Sequence, residues 1–294
     1  MRDKMKSETS PVSSRSLSRI FGKLKKPLAF ARLRGGSFAG AVQLFYYAGL
    51  KSHLAYRGIT AFGAGRIIRI PFNAPESKVW EVCLRDNGLD IVTLAEFFSP
   101  EAFIVNEFPD REPAVIYDIG ANIGVASLFF GARYPQATIY GFEPLPSNYE
   151  ICSMNYQNLN QARVFPWALG SSTCTATFEF EANDNRGGRL AASSAVHSES
   201  SSQSISVEVF SIADVIREKQ LDPPELLKID VEGAELEVLK GLGNHVTSVK
   251  AMHLETHGPG LRAQCLRWLR DNGFSVIGER EEQPGYGSVW CARR

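Results

Sequence analysis

VIYDIGANIG, residues 115–124, decides how this chain is read. Val115 to Ile119 is a short apolar run, the pattern of a strand buried on both faces. It carries Asp118 to the strand's C-terminal end. Gly120 then allows a tight turn, and Gly124 opens a helix predicted over Gly124 to Arg133. Glycine suits this turn because a Cβ would block a ligand from lying against the main chain. The unpaired N–H groups at a helix start are donors for polar ligand groups. A lone Gly-x-x-x-Gly is weak evidence. On a strand–turn–helix, with an acid two residues before the first glycine, it marks a candidate binding site.

Working outward, the same alternation repeats. Strands are predicted at Ala137 to Phe142, Arg163 to Trp167, Leu226 to Asp230 and Ser248 to Thr256. Helices are predicted at Leu145 to Leu159, Ala234 to Leu242 and Leu261 to Asn272, the last closed by Gly273. Strands separated by helices imply a parallel sheet with helices on both faces. Phe274 to Glu279 and Ser288 to Ala292, joined by the turn QPGYG, read as a final antiparallel pair. The expected fold is therefore α/β: a doubly wound, Rossmann-like, seven-stranded sheet, mostly parallel, with an antiparallel C-terminal edge strand. One stretch departs from the alternation. Residues 171–204 are rich in Ser and Gly, and only Thr175 to Glu181 alternates like a strand. It follows a strand whose C-terminal end faces the ligand crevice, so it is expected to be a lid.

The polar break DREP, Asp110 to Pro113, separates this domain (113–294) from what precedes it. Residues 37–112 form a lead-in of helix and short strand, with RIIRIP (Arg66 to Pro71) as a strand and LDIVTLAEFF (Leu89 to Phe98) as a helix. Residues 1–36 carry ten Lys/Arg and two Asp/Glu, so the rest of a chain of zero net charge is left at −8. An acidic body gives little support to nucleic-acid binding. The basic arm reads as a solvated, partly helical or disordered tail, with peripheral contact to an anionic membrane as the alternative. No apolar run reaches the roughly 18 residues of a membrane span, and no leader-like apolar segment follows Met1. The five cysteines are scattered, with no CxxC, which argues against a disulfide scaffold or a zinc finger. A cytoplasmic setting is expected.

Glu143 lies nineteen residues beyond Gly124, at the end of the next strand. A carboxylate there can accept from both hydroxyls of a ribose. The dinucleotide fingerprint Gly-x-Gly-x-x-Gly is not met, because position 122 is Asn. A nucleoside cofactor without a pyrophosphate, S-adenosylmethionine (SAM), fits better than NAD. VIYDIGANIG, GFEP (Gly141 to Pro144), WALG (Trp167 to Gly170) and LLKIDVEGAELEVLKG (Leu226 to Gly241) resemble the FkbM family of SAM-dependent methyltransferases. The likeness covers roughly residues 113–258. It implies O-methylation of a hydroxyl on a sugar, glycan or natural product, with Asp118, Gly120, Asn122, Gly124 and Glu143 holding SAM. It also implies that Asp230 and Glu232 face the substrate. Where many such enzymes carry an acid or amide for adenine, this chain has Ala168, Leu169 and Gly170.

A hydroxyl nucleophile calls for a base or a metal. MHLETHG, Met252 to Gly258, alternates so that His253, Glu255 and His257 share a face, and His257 is the expected base. Asp230, Glu232 and Glu255 are an oxygen set suited to Mg²⁺ or Ca²⁺, the alternative for Glu232 being a helix cap. No metal is required by the sequence. Asn185 and Arg186 in the insert are expected to touch the substrate. The rivals are a SAM-fold protein without catalysis and an NAD-dependent oxidoreductase.

Overall fold

The structure, a computed structural model, describes residues 67–73, 79–85, 89–90, 93–94, 112–181, 184–191 and 202–293. The basic arm and its proposed membrane contact lie outside the described residues. So does most of the helix expected at Leu89 to Phe98, of which residues 89–90 and 93–94 are helical.

The strands in chain order are β1 (Ile67–Asn73), β2 (Val79–Arg85), β3 (Val115–Ile119), β4 (Thr138–Phe142), β5 (Ala162–Phe165), β6 (Ala168–Gly170) and β7 (Cys174–Glu181). They continue as β8 (Asp184–Leu190), β9 (Ser202–Ser211), β10 (Leu226–Ile229), β11 (Ala251–His257), β12 (Phe274–Gln283) and β13 (Tyr286–Arg293). The helices are α1 (Val125–Arg133), α2 (Pro146–Tyr156), α3 (Ile212–Lys219), α4 (Glu235–Lys240) and α5 (Pro259–Asp271).

The main sheet has seven strands in the order β12-β13-β11-β10-β3-β4-β5. Strands β11, β10, β3, β4 and β5 run parallel. β13 is the antiparallel strand, paired on both sides, and β12 forms the edge beyond it. Alternation along each strand sorts the core onto two faces. Tyr117, Ile119, Leu227, Ile229, Met252 and Leu254 pack with α3, α4 and α5, while Ile116, Ile139, Leu226, Ala251 and Trp290 pack with α1 and α2. All five residues of β3 are buried, as a central strand covered on both faces requires. The order reverses between β3 and β10, so the loops after their C-terminal ends open a crevice there.

The described residues of 171–204 contribute β7, β8 and the start of β9 to a second sheet of four strands, β6-β9-β7-β8. Leu145, Ala168, Phe178, Val207 and Val209 form its own small core. SQSISVEVFS, the β9 sequence, alternates with period two and continues into α3, whose N-cap Ser211 accepts from the Asp214 N–H at 3.0 Å. Neither element is expected from the sequence reading, because the preceding serines mask the start of the pattern. The strand expected at Arg163 to Trp167 ends at Phe165, and Ala168 to Gly170 crosses to the second sheet.

Among the lead-in residues described, β1 and β2 form a hairpin. Its inner side, Trp80, Val82, Cys83 and Leu84, packs on Ile123, Val125, Leu128 and Ile151. Asn155 ties it down, accepting from the Cys83 N–H at 2.7 Å and donating to the Cys83 carbonyl at 3.0 Å. Among the described residues, no helix is long and apolar enough to cross a membrane.

Candidate active site and family

The turn after β3 is held by backbone geometry. Gly120, Asn122 and Gly124 all have positive φ, at 75°, 50° and 82°. A Cβ at Gly120 would sit 1.8 Å from the Asp230 carbonyl oxygen, so the loops after β3 and β10 touch through bare main chain. The Gly120 and Ala121 N–H groups both bond the Phe142 carbonyl at 3.0 Å, fixing the turn to the end of β4.

Beneath the turn sits a buried ionic group. Asp118 is fully buried, accepts from Ser127 Oγ at 2.6 Å and lies 3.4 Å from Lys228 Nζ. Burial raises the Asp118 pKa, against the opposing pull of Lys228 and Ser127. Lys228 also donates to the Gly120 carbonyl at 2.7 Å and lies 3.4 Å from Asp230. Burial works against its charge, but the Asp230 and Asp118 carboxylates outweigh that and hold it above its usual range. The structure therefore places Asp118 behind the turn rather than on the surface of the cleft.

Glu143 is 5% exposed and lies where β4 ends. Its Oε2 accepts from the Asn122 N–H at 2.8 Å and its Oε1 from the Leu145 N–H at 2.9 Å. The Asn148 side chain also hydrogen-bonds this carboxylate. Burial pushes its pKa up to about 7, and the backbone bonds to Leu145 and Asn122 oppose the rise.

An open cleft runs over this turn. Gly120, Asn122, Glu143, Trp167, Ala168 and Leu169 line one part, and Asp230 and Glu232 another. Phe178, Gly188 and Leu190 of the second sheet also border it, so the insert supplies a wall of the cleft. The backbones of Asn185 and Arg186 run along β8, the strand that carries Gly188 and Leu190. The Asn122 side-chain oxygen is buried without a hydrogen-bond partner. That orphaned acceptor, the Gly120 cradle and the buried Glu143 carboxylate fit a nucleoside with a cationic amino-acid tail. Ala168 and Leu169 bring no polar side chain to an adenine edge, so only their backbone is available for it.

A second cluster lies at the ends of β10 and β11. His257 Nδ1 is 2.8 Å from Glu235 Oε1, and its Nε2 is 3.4 Å from Glu232 Oε2 and 3.9 Å from Asp230 Oδ1. Burial tends to lower the His257 pKa. The Glu235 hydrogen bond and the charges on Glu232 and Asp230 prevail and raise it to about 9. At neutral pH this imidazole is protonated and must lose that proton before it can accept another. The Asp230 charge, with burial, raises the Glu255 pKa to about 8. Asp230, Glu255 and His257 bring one donor atom each within 4.8 Å of the other two. His253 lies deeper in the same strand and stacks on Trp290 at 4.2 Å; burial lowers its pKa to about 3.

Two expectations are adjusted. Glu232 does not cap the helix; Glu235 is in the first turn of α4 and accepts from the Gly233 N–H at 2.9 Å. His257 replaces Glu232 in the group whose donors converge with Asp230 and Glu255. Glu235 itself is missed by sequence reasoning. It resembles any first-turn acid, and nothing local pairs it with a histidine twenty-two residues away.

The Methyltransferase FkbM domain model matches residues 118–276. The methyltransferase sdnD of Sordaria araneosa is 32% identical over 68% of this chain and 88% of its own length. The hexuronic acid methyltransferase AglP of Haloferax volcanii is 29% identical over 58% of this chain and 72% of its own. The 31-O-demethyl-FK506 methyltransferase FkbM of Streptomyces tacrolimicus is 24% identical over 63% of this chain and 82% of its own. These matches decide against the NAD reading: the chain belongs to the FkbM family of SAM-dependent methyltransferases.

Proposed function

We propose that this protein transfers a methyl group from SAM to a hydroxyl of a sugar, glycan or natural product. One observation carries the reading: the same cleft is bordered by the Gly120–Glu143 turn and by Asp230 and Glu232, which adjoin His257. The sulfonium supplies an activated methyl group, so the chain's work is alignment and proton removal. Glu143, at the edge of the cleft, accepts from the ribose hydroxyls. Leu145, Trp167, Leu169 and Phe178 form the apolar surround for the base. Asn122 and the turn receive the amino-acid tail, and Asp118 supports them through Ser127 and Lys228.

The balance of the reaction is simple. The methyl C–S bond breaks, a C–O bond forms, the uncharged thioether leaves, and the hydroxyl proton passes to the corner of Asp230, Glu232 and His257. Asn185 and Arg186, on the insert, contact the acceptor. The relatives' names favour an oxygen acceptor: one is named for a hexuronic acid and another for a 31-O-demethyl compound. A SAM-fold protein without catalysis would have no use for a histidine gripped by a buried carboxylate beside the cleft.

The test has two arms. Calorimetry with SAM and with NAD should show binding of SAM alone. Labelled SAM, incubated with fractionated glycans and hydroxylated small metabolites, should leave label on an alkali-stable ether. Failure to bind SAM would sink the proposal, and label found on nitrogen or carbon would remove its O-methyl half.

A further inference from the structure

We propose that Asp230, Glu255 and His257 bind a divalent first-row cation of the Mn²⁺ type. The inference rests on the methyl-transfer reading for its purpose, since this corner borders the same cleft, but its binding test is separate.

Three donor atoms, one from each residue, lie within 4.8 Å of one another. With metal–donor bonds of about 2.1 to 2.4 Å, donors on opposite sides of one ion are about 4.2 to 4.8 Å apart. The spacing therefore suits a single ion. All three residues are half-buried, and Asp230 lines the cleft.

A second observation comes from behind the ring. Glu235 is fully buried, and its Oε1 holds both His257 Nδ1 at 2.8 Å and the Gly233 N–H at 2.9 Å. Its Oε2 has no hydrogen-bond partner. A buried carboxylate on the rear nitrogen fixes the orientation of a metal-ligating imidazole and strengthens it as a donor. Here it leaves Nε2 on the side of the Asp230 and Glu232 carboxylates. The Asp230, Glu232 and Glu235 carboxylates all lie within 3.9 Å of the His257 ring nitrogens, and the nearby Lys228 is already shared with Asp118 and the Gly120 carbonyl.

The donor set selects the ion. An all-oxygen triad of Asp230, Glu232 and Glu255 would favour Mg²⁺ or Ca²⁺. The imidazole in place of Glu232 shifts the preference toward ions that accept both carboxylate and nitrogen, of which Mn²⁺ is one. Three protein donors leave positions for water or for the acceptor hydroxyl. A hydroxyl bound there gives up its proton more readily. Glu232, which borders the cleft and the His257 ring, is placed to take it.

The experiment titrates Mn²⁺ alone into the full-length chain and follows the free-ion EPR signal. SAM affinity is measured by calorimetry on the same preparations. The expected result is one Mn²⁺ per chain, with affinity reduced at least about tenfold in Glu255→Gln and His257→Ala. Glu235→Gln, which touches no ion, should also weaken Mn²⁺ about tenfold through the imidazole. Wild-type SAM affinity in these variants shows that the fold is intact. A wild-type chain with no stoichiometric Mn²⁺ site overturns the proposal, as does a site that the substitutions leave unchanged. Loss of SAM binding in the wild type would instead sink the methyl-transfer reading and leave the Mn²⁺ result standing.

Discussion

The glycine-turn side of the cleft comes from ten consecutive residues, Val115 to Gly124, together with Glu143, while the acidic corner draws Asp230, Glu232 and Glu235 from one segment and Glu255 and His257 from another. The first is built of backbone: positive φ angles, bare main chain and N–H groups. The second is built of side chains whose charges reset one another, taking His257 up to about 9 and Glu255 to about 8. A backbone site tolerates almost no added atoms. A side-chain site tolerates substitution but loses its chemistry. The two walls should therefore fail differently.

The largest effect is expected at Gly120. In Gly120→Ala a Cβ meets the Asp230 carbonyl at 1.8 Å in a left-handed conformation, so stability should fall by about 3 kcal/mol or more and SAM binding should be lost. A thermal melt and calorimetry measure both. A variant with unchanged melting would break the comparison at its first wall.

Next comes His257→Ala. The rate of methyl transfer should drop about 10²-fold or more while SAM affinity stays within error, since removing a group that handles the proton costs on that order. Should kcat survive, the acidic corner is not where the hydroxyl is activated.

Glu143 sharpens the glycine-turn side. Glu143→Ala should weaken SAM about 10- to 100-fold, the range for charge-assisted hydrogen bonds. Its pKa of about 7 also gives a pH signature. Only the ionised carboxylate accepts freely from both ribose hydroxyls. Affinity is then full above about pH 7 and declines as pH falls through that value. Calorimetry between pH 8 and pH 5.5, roughly bracketing that titration, should show the decline in the wild type and a flat response in Glu143→Gln. A flat wild-type profile would remove the ribose assignment.

The smallest effect is expected from the insert. Arg186→Ala should raise the acceptor KM by about tenfold or less, with SAM affinity unchanged. Unchanged acceptor kinetics would discard the substrate role of β8.

The parallel sheet was legible because its signals are local: apolar runs of strand length, helical spacing and glycine at fixed turns. The placing of Gly120 and Glu143 at strand ends follows from that alternation, while the neighbouring of β10, β3 and β4 comes from the structure. The insert was less legible. Ser211 and the period-two run before it were readable, but a serine-rich approach hid them, and whether a hairpin covers a cleft depends on where Phe178 and Leu190 pack.

By itself, the sequence determined the backbone half of this protein. A strand, a glycine turn and an acid at the next strand end need only local conformational preference and the handedness of a βαβ unit. Only the tertiary structure decided the other half. It buried Glu235, set this helical residue against a histidine on β11, moved Asp118 behind the turn and exchanged Glu232 for His257 among the converging donors. Those outcomes depend on distances between segments far apart in the chain and on how much water packing excludes, and neither is written in any short run of residues.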